Sequence, residues 1–344
     1  MNEYDSILIL SFGGPEGKED VLPFLRNVLK GIPVKEETFA EIQERYDLFD
    51  GVSPINANTR LFIDALSKAL KLKRIMLPIY WGNRNWHPML SDTMQQMKQD
   101  GRKKTLVFVT SIFSSYSGCR KYREDLYESS ATIEHMIEFD KIRNGYNHPG
   151  FIKGIASCIN EVIKSKNLSK ETQVFFTAHS LPISMAEKTE YQNQLLNSCQ
   201  LVANELELKN WKLCYQSNNA SYGNKWLEPT IEDEIVALGQ VPEKECIVMP
   251  IGFVCDHMEV VLDLDIDAKN IALENDVNLY RAPTLGINES FIDMVVDLID
   301  ERIQKREEKK FLGERGPNHN QCPIDCCLSG RPGNPKPSLC GEAS

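Results

Sequence analysis

Three carboxylates recur at four-residue intervals in the stretch Pro250-Ile251-Gly252-Phe253-Val254-Cys255-Asp256-His257-Met258-Glu259-Val260-Val261-Leu262-Asp263-Leu264-Asp265-Ile266-Asp267: Glu259, Asp263 and Asp267. On a helix, residues four apart share a face. Like charges in one row repel, so the row is unfavourable unless a cation or a proton visits it. Taken alone, acidic residues at helical spacing are most often a solvated face. A second segment, Phe176-Thr177-Ala178-His179-Ser180-Leu181-Pro182, gives the row another reading. His179 follows one apolar run, and Glu259 follows another, Ile247 to Val254. A histidine and a carboxylate facing one cleft can bind a ferrous ion, and either can accept protons near neutral pH. The plain alternative for His179 is a core histidine bonded to a backbone carbonyl. Ser180 invites a hydrolase reading, but no G-x-S-x-G elbow surrounds it.

The elements that must carry these residues are continuous apolar runs: Ser6–Ser11, Arg74–Tyr80, Thr105–Phe113, Thr172–Ala178, Lys212–Gln216, Cys246–Val254 and Val277–Arg281. Continuous rather than alternating runs are the pattern of parallel strands buried on both faces. Between them, Thr59–Leu72, Phe151–Ile163 and Phe291–Ile303 space their apolar residues as amphipathic helices. The alternation predicts an α/β fold of βαβ units, and the strand count predicts two similar sheets. The turn signal Asn147-His148-Pro149-Gly150 divides them. The expected domains are residues 1–147 with a returning helix at about 282–310, residues 148–281 carrying His179 and Glu259, and a Cys-rich tail at 311–344. Ligands of open α/β sheets sit beyond the carboxyl ends of the strands, which is where both His179 and Glu259 fall.

Composition narrows the classes. A chain of 344 residues with net charge −10 lacks the basic footprint of nucleic-acid binding. Its apolar runs are too short for a membrane span. The acidic start Met1-Asn2-Glu3-Tyr4-Asp5 has no basic signal-peptide region, which predicts a cytoplasmic protein. Phe12-Gly13-Gly14-Pro15-Glu16-Gly17 is a tight βα turn rather than a dinucleotide fingerprint, and there is no P-loop. Of ten cysteines, Cys322, Cys326, Cys327 and Cys340 crowd the tail. In a cytosolic chain such a group suits iron–sulfur or zinc ligation better than disulfides. The tail is too polar to bury a core, so it is expected to be disordered or to be ordered by something bound to its cysteines.

Several segments, in order, resemble ferrochelatase, the enzyme that inserts iron into a porphyrin late in haem synthesis. They are Leu8-Ile9-Leu10-Ser11-Phe12-Gly13-Gly14-Pro15 with Val21-Leu22-Pro23-Phe24-Leu25-Arg26-Asn27, then Gly51-Val52-Ser53-Pro54-Ile55-Asn56 with Thr59-Arg60, then Ser114-Ser115-Tyr116-Ser117. The His179 segment, Trp226-Leu227-Glu228-Pro229 and the Pro250–Glu259 stretch follow. The resemblance covers nearly the whole chain. It implies two Rossmann-like domains of the class II chelatase kind, with the active-site cleft between them. It also implies insertion of Fe²⁺ into protoporphyrin IX with release of two protons. By that similarity His179 and Glu259 are the catalytic pair that meets the ferrous substrate, and Asp256 and His257 support them. Phe12, Ser53, Tyr116 and Trp226 bind or support the porphyrin. Asp263 and Asp267 form the row for metal or proton traffic.

Two features depart from the family pattern. Tyr215-Gln216-Ser217 continues Asn218-Asn219-Ala220, where relatives commonly carry an arginine. Phe12 stands where some relatives that use coproporphyrin carry a tyrosine, which points to protoporphyrin IX. The tail resembles those of ferrochelatases that hold a [2Fe–2S] cluster, usually with three ligands from the tail and one from the body. Here the tail alone offers Cys322, Cys326, Cys327 and Cys340, and Cys158 lies near the place of the body ligand, so two ligand sets stay open. The implied partners are porphyrin and ferrous iron, with no nucleic acid. Peripheral membrane contact, and the choice between monomer and homodimer, stay open. The rivals are a cobalt chelatase of related architecture and a porphyrin carrier that has lost turnover.

Overall fold

Each buried run becomes a strand that stops where the chain can no longer feed the ladder. The computed structural model describes residues 3–31, 35–218, 225–331 and 333–341. The strands are β1 (Ser6–Ser11), β2 (Ile79–Asn83), β3 (Lys104–Val109), β4 (Glu138–Lys141), β5 (Gln173–His179), β6 (Trp211–Gln216), β7 (Glu245–Met249) and β8 (Asn278–Arg281). The helices are α1 (Lys18–Val28), α2 (Glu36–Asp47), α3 (Ile55–Leu72), α4 (Leu90–Gln99), α5 (Lys121–Ser130), α6 (Pro149–Lys166), α7 (Ile183–Ala186), α8 (Tyr191–Leu206), α9 (Ile231–Leu238), α10 (Met258–Val260), α11 (Ala268–Glu274) and α12 (Glu289–Ile303). Two π-helical segments, Tyr116–Arg120 and Val261–Asp267, adjoin α5 and α10.

The strands form two four-stranded, all-parallel sheets, ordered β2-β1-β3-β4 and β6-β5-β7-β8. Alternate residues of each central strand feed different cores, as the two-residue period of a strand requires. Ile7, Ile9 and Phe108 of the first sheet share one large core with Val174, Phe176, Ile247 and Met249 of the second. Phe62, Phe151, Phe291 and Val295 fill the space between, with α12 packed on both α3 and α6. The opposite faces make separate cores: Leu8, Leu10 and Val107 with Met94 and Leu126, and Phe175 and Val248 with Ile231 and Leu264.

The structure corrects the sequence reading in three places. The run expected from Arg74 begins its pairing at Ile79, because Pro78 has no N–H and contributes only its carbonyl, to Ile7 N at 2.9 Å. The run through Val254 ends as a strand at Met249, just before Pro250. The edge strand β4 was not foreseen, since Glu138-Phe139-Asp140-Lys141 is short and charged. The described part of the tail also makes contacts that do not involve its cysteines. Arg120 donates to Ile324 O at 2.8 Å and Lys336 O at 2.9 Å, and Arg123 donates to Leu339 O at 2.7 Å. The Asn147 side chain donates to Gly316 O at 2.7 Å.

A buried ion pair fixes where α12 gives way to the tail. The Arg143 side chain is fully buried, and its Nε lies 2.9 Å from Glu301 Oε1 while Nη2 lies 2.9 Å from Glu301 Oε2. Nη2 also donates to Lys310 O at 3.0 Å. Removing one partner of such a pair strands a buried charge. Arg143→Met is therefore expected to lose about 3–5 kcal/mol of stability in chemical denaturation, with much of the loss recovered in the Arg143→Met/Glu301→Leu double variant.

Candidate active site

The site begins with the pairing of β5 and β7. Val174 lies opposite Ile247 and Phe176 opposite Met249, so both strands point their carboxyl ends at the same edge. His179 closes β5. Beyond β7, the loop from Pro250 folds back against β5, with Gly252 N donating to Thr177 O at 3.0 Å. A Cβ at Gly252 would sit 2.7 Å from the Cβ of Ala178, so only glycine lets the loop lie this close. The loop then enters α10, which carries Glu259 in its first turn.

This brings the two residues together. His179 Nε2 is 3.7 Å from Glu259 Oε2. The other ring nitrogen, Nδ1, is 2.5 Å from Ser180 O. A carbonyl can only accept, so Nδ1 carries the proton and Nε2 turns its lone pair toward the carboxylate. At 3.7 Å the two are too far apart to bond directly. Two donors each about 2.1 Å from one ion can be up to about 4.2 Å apart, so the spacing suits a shared cation. Tyr191 donates its hydroxyl to His179 O at 2.9 Å and holds the end of the strand. Ser180 is fully buried with its hydroxyl donated to Leu227 O at 2.9 Å, which removes it as a nucleophile.

The acidic row is not α-helical as expected. Val261–Asp267 is a π-helix, whose wider turn is often found at functional sites. Its carboxylates have different fates. Asp263 accepts from Ser217 Oγ, and from Gln216 Nε2 at 3.3 Å. Burial raises its pKa, the Ser217 bond opposes the rise, and the charge on Glu259 adds to it. Asp267 is taken by Arg45 of α2, Nη2 to Oδ2 at 2.6 Å, both partly exposed.

Arg281, which no motif of the sequence singles out, clamps this region. It grips Asp256 with Nη1–Oδ1 at 3.1 Å and Nη2–Oδ2 at 2.8 Å, and Asp265 through Nε at 2.9 Å. Asp256 therefore anchors the loop and does not face the cleft chemistry directly. His257 is half-buried, its ring in a T-shaped contact with Phe253, centroids 4.8 Å apart. Desolvation lowers its pKa, while Glu259 pulls the other way.

The lip is aromatic. Phe12, Phe24, Tyr46 and Trp86 cluster with Met258 and Leu262, so α1 and α2 rest on the acidic segment. Phe24 meets Phe12 at 6.3 Å and Trp86 at 6.4 Å in edge-on contacts. Arg84 lies over the Phe12 ring and pairs with Asp125 at 2.6 Å. Ser53 is buried behind Gly14, where a Cβ would sit 2.8 Å from its own, so Ser53 shapes the turn. Tyr116 donates to Glu124 Oε2 at 3.0 Å, and its pKa is pushed up to about 12 by burial and that carboxylate. The Trp226 indole N–H is buried with no partner among the described residues. Positions 219–220, at the arginine departure, lie outside the described residues.

The cysteine group differs from both expected ligand sets. Cys119, Cys322 and Cys327 are buried together with Cys326 beside them, and the Cys326 and Cys327 sulfurs are 3.5 Å apart. The body thiol is Cys119, at the end of the π-helical segment that follows β3. Cys158 is instead on the buried face of α6, in the core, and Cys340 donates its thiol to Phe139 O at 3.1 Å. Thiols of Cys322 and Cys327 bonded to Cys326 lower the pKa of Cys326 and favour its thiolate. Four sulfurs with a stabilised thiolate are a donor set suited to iron–sulfur ligation. Cys119 escaped the sequence reading because only the fold brings it to the tail. The signal that could have found it is its place in a loop just past the carboxyl end of a strand.

A family model described as ferrochelatase matches residues 4–303. A protein named ferrochelatase from Rhodopirellula baltica is 46% identical over 94% of this chain and 93% of its own. Proteins named coproporphyrin III ferrochelatase match too: that of Streptomyces griseus at 38% identity over 99% of this chain and 97% of its own, and that of Mycobacteroides abscessus at 39% over 90% and 92%. Among solved structures, SirB from Bacillus subtilis with Fe³⁺ aligns at a TM-score of 0.57 and 9% identity, covering 89% of this chain and 98% of its own, a likeness of fold.

Asp263 gives the site a measurable pH signature. A carboxyl whose folded pKa is raised stabilises the fold below its unfolded pKa and loses that contribution as pH rises through the folded value. Asp263→Asn is therefore expected to unfold at a higher temperature than wild type at neutral pH, with the gain vanishing below the ordinary carboxylate range. Metal insertion should fall while porphyrin binding, read by fluorescence quenching, is kept. Unchanged kinetics would return Asp263 to a structural role.

Proposed function

Because the chain belongs to the ferrochelatase family, we propose that it inserts Fe²⁺ into coproporphyrin III with His179 and Glu259 as the reacting pair. The observation that carries the mechanism is His179 Nε2, at the end of β5, facing Glu259 of α10 at 3.7 Å beneath an aromatic lip. Metallation replaces two pyrrole N–H bonds by bonds to iron, so two protons must leave as the ion enters. His179 accepts one at Nε2 and Glu259 accepts the other. Asp263, whose burial favours its protonated form, is the next holder of a proton beyond Glu259. The half-exposed rings of Phe12 and Trp86, backed by the buried Phe24, suit an apolar macrocycle.

The choice of porphyrin rests on the relatives named for coproporphyrin III, one of which matches across 99% of this chain. Phe12 favours protoporphyrin IX by resemblance. Its ring, however, packs on Phe24 and under Arg84, a wall role that either porphyrin permits. At the tail, Cys119, Cys322, Cys326 and Cys327 are the residues that would hold a [2Fe–2S] cluster, which supplies one-electron chemistry when bound. Cys119 fixes that site to the first sheet, and Arg120 and Arg123 hold the tail against it.

Three outcomes check this reading. Anaerobic turnover is expected to favour coproporphyrin III over protoporphyrin IX by about tenfold or more in kcat/KM, about 1.4 kcal/mol of discrimination; the reverse order restores protoporphyrin IX. His179→Ala is expected to lower kcat/KM by about 10²–10⁴, with Zn²⁺ as well as Fe²⁺; full turnover would sink the assignment, and tight porphyrin binding without product in the wild type would favour a carrier. Anaerobically purified wild type is expected to be coloured. Cys119→Ser and Cys326→Ser should lose that absorption, and Cys158→Ser and Cys340→Ser should keep it.

A further inference from the structure

A nitrogen donor stands on the rim of the four thiols. His319 Nε2 lies 3.7 Å from Cys326 Sγ. The donor atoms of His319, Cys322 and Cys326 all lie within 4.8 Å of one another. The position of His319 is built into the fold. Its backbone N–H donates to Asn318 Oδ1 at 3.0 Å, and the Asn318 amide donates to Ser114 Oγ at 3.1 Å. Ser114 is itself buried past the end of β3 and accepts from Asn144 and Gln194 at 3.2 and 3.0 Å. The imidazole is exposed on its outer side, so it stays hydrated while Nε2 faces sulfur. Four sulfurs already complete an iron–sulfur ligand set, so His319 is surplus to ligation.

We propose that His319 is a positioning residue that donates an Nε2–H hydrogen bond to the Cys326 thiolate and raises the reduction potential of a cluster held by the four cysteines. This rests on the cluster reading above. Reduction adds one electron, delivered by an external reductant such as dithionite, and so adds one negative charge to the cluster and its sulfurs. A hydrogen bond to a ligand sulfur strengthens as that charge grows, so it stabilises the reduced form more than the oxidised one. No covalent bond changes and the proton stays on Nε2. The alternative allowed by the same distances is a swap, with His319 replacing a sulfur as ligand.

The test uses the full chain purified anaerobically as wild type, His319→Ala and His319→Gln. Each is titrated with dithionite and redox mediators, followed by visible absorption and electron paramagnetic resonance, with iron and acid-labile sulfide measured. The expected result is equal iron and sulfide in all three. At a fixed potential His319→Ala should show a reduced-to-oxidised ratio about tenfold below wild type, about 59 mV for a one-electron couple. His319→Gln, which keeps an N–H, should recover most of the shift. An unchanged potential in His319→Ala overturns the inference. Loss of iron with an altered spectrum overturns it in favour of ligation by His319. A colourless wild type defeats the cluster reading and this inference together, whereas a coloured wild type indifferent to His319 defeats this inference alone.

Discussion

Backbone hydrogen bonds between β5 and β7 set Val174 against Ile247 and Phe176 against Met249, and everything at the cleft inherits that register. A slip of one residue would exchange the side chains that β5 feeds to its two cores and carry His179 to the other face of the sheet. With the register fixed, the loop after β7 has only one way to reach Glu259 into place, and it uses the missing side chain of Gly252 to pass Ala178. The Ser180 carbonyl then decides which nitrogen of His179 is available. The placing of His179 Nε2 thus begins as ordinary sheet pairing between buried residues.

Around that pair, charge is distributed by burial and partner. Arg281 and Lys269 pair with Asp256 and Asp265, and Arg45 pairs with Asp267. Glu259 and Asp263 are left as the members of the acidic run that His179 and one another influence most directly. Asp267 instead ties the π-helical segment to α2. That pair joins residues 222 positions apart and fastens the aromatic lip over the acidic stretch.

Much of this was legible in the chain. Ser6–Ser11 reads as a buried strand because its core residues are nearly all apolar, and it is one. His179 and Glu259 are found because each follows such a run. What stayed hidden has physical causes. β4 is an edge strand with charged residues, so hydrophobicity carries no signal for it. The π-helical winding of Val261–Asp267 leaves the same acidic spacing as an α-helix would. Arg45, Arg281, Cys119 and His319 act through contacts that only the tertiary fold creates. The tail's low apolar content carries no signal for contacts with the body. Its anchorage comes from arginine donors on the body meeting its own carbonyls.

Those arginine bonds alter the economy of assembling the cysteine site. In small metal-binding modules the ion must repay the entropy of ordering the whole chain around it, and metal loss means unfolding. Here Arg120 and Arg123 hold the described part of the tail through its backbone carbonyls rather than through its sulfurs. A protease that nicks this segment must first break those carbonyl bonds, whatever the thiols hold.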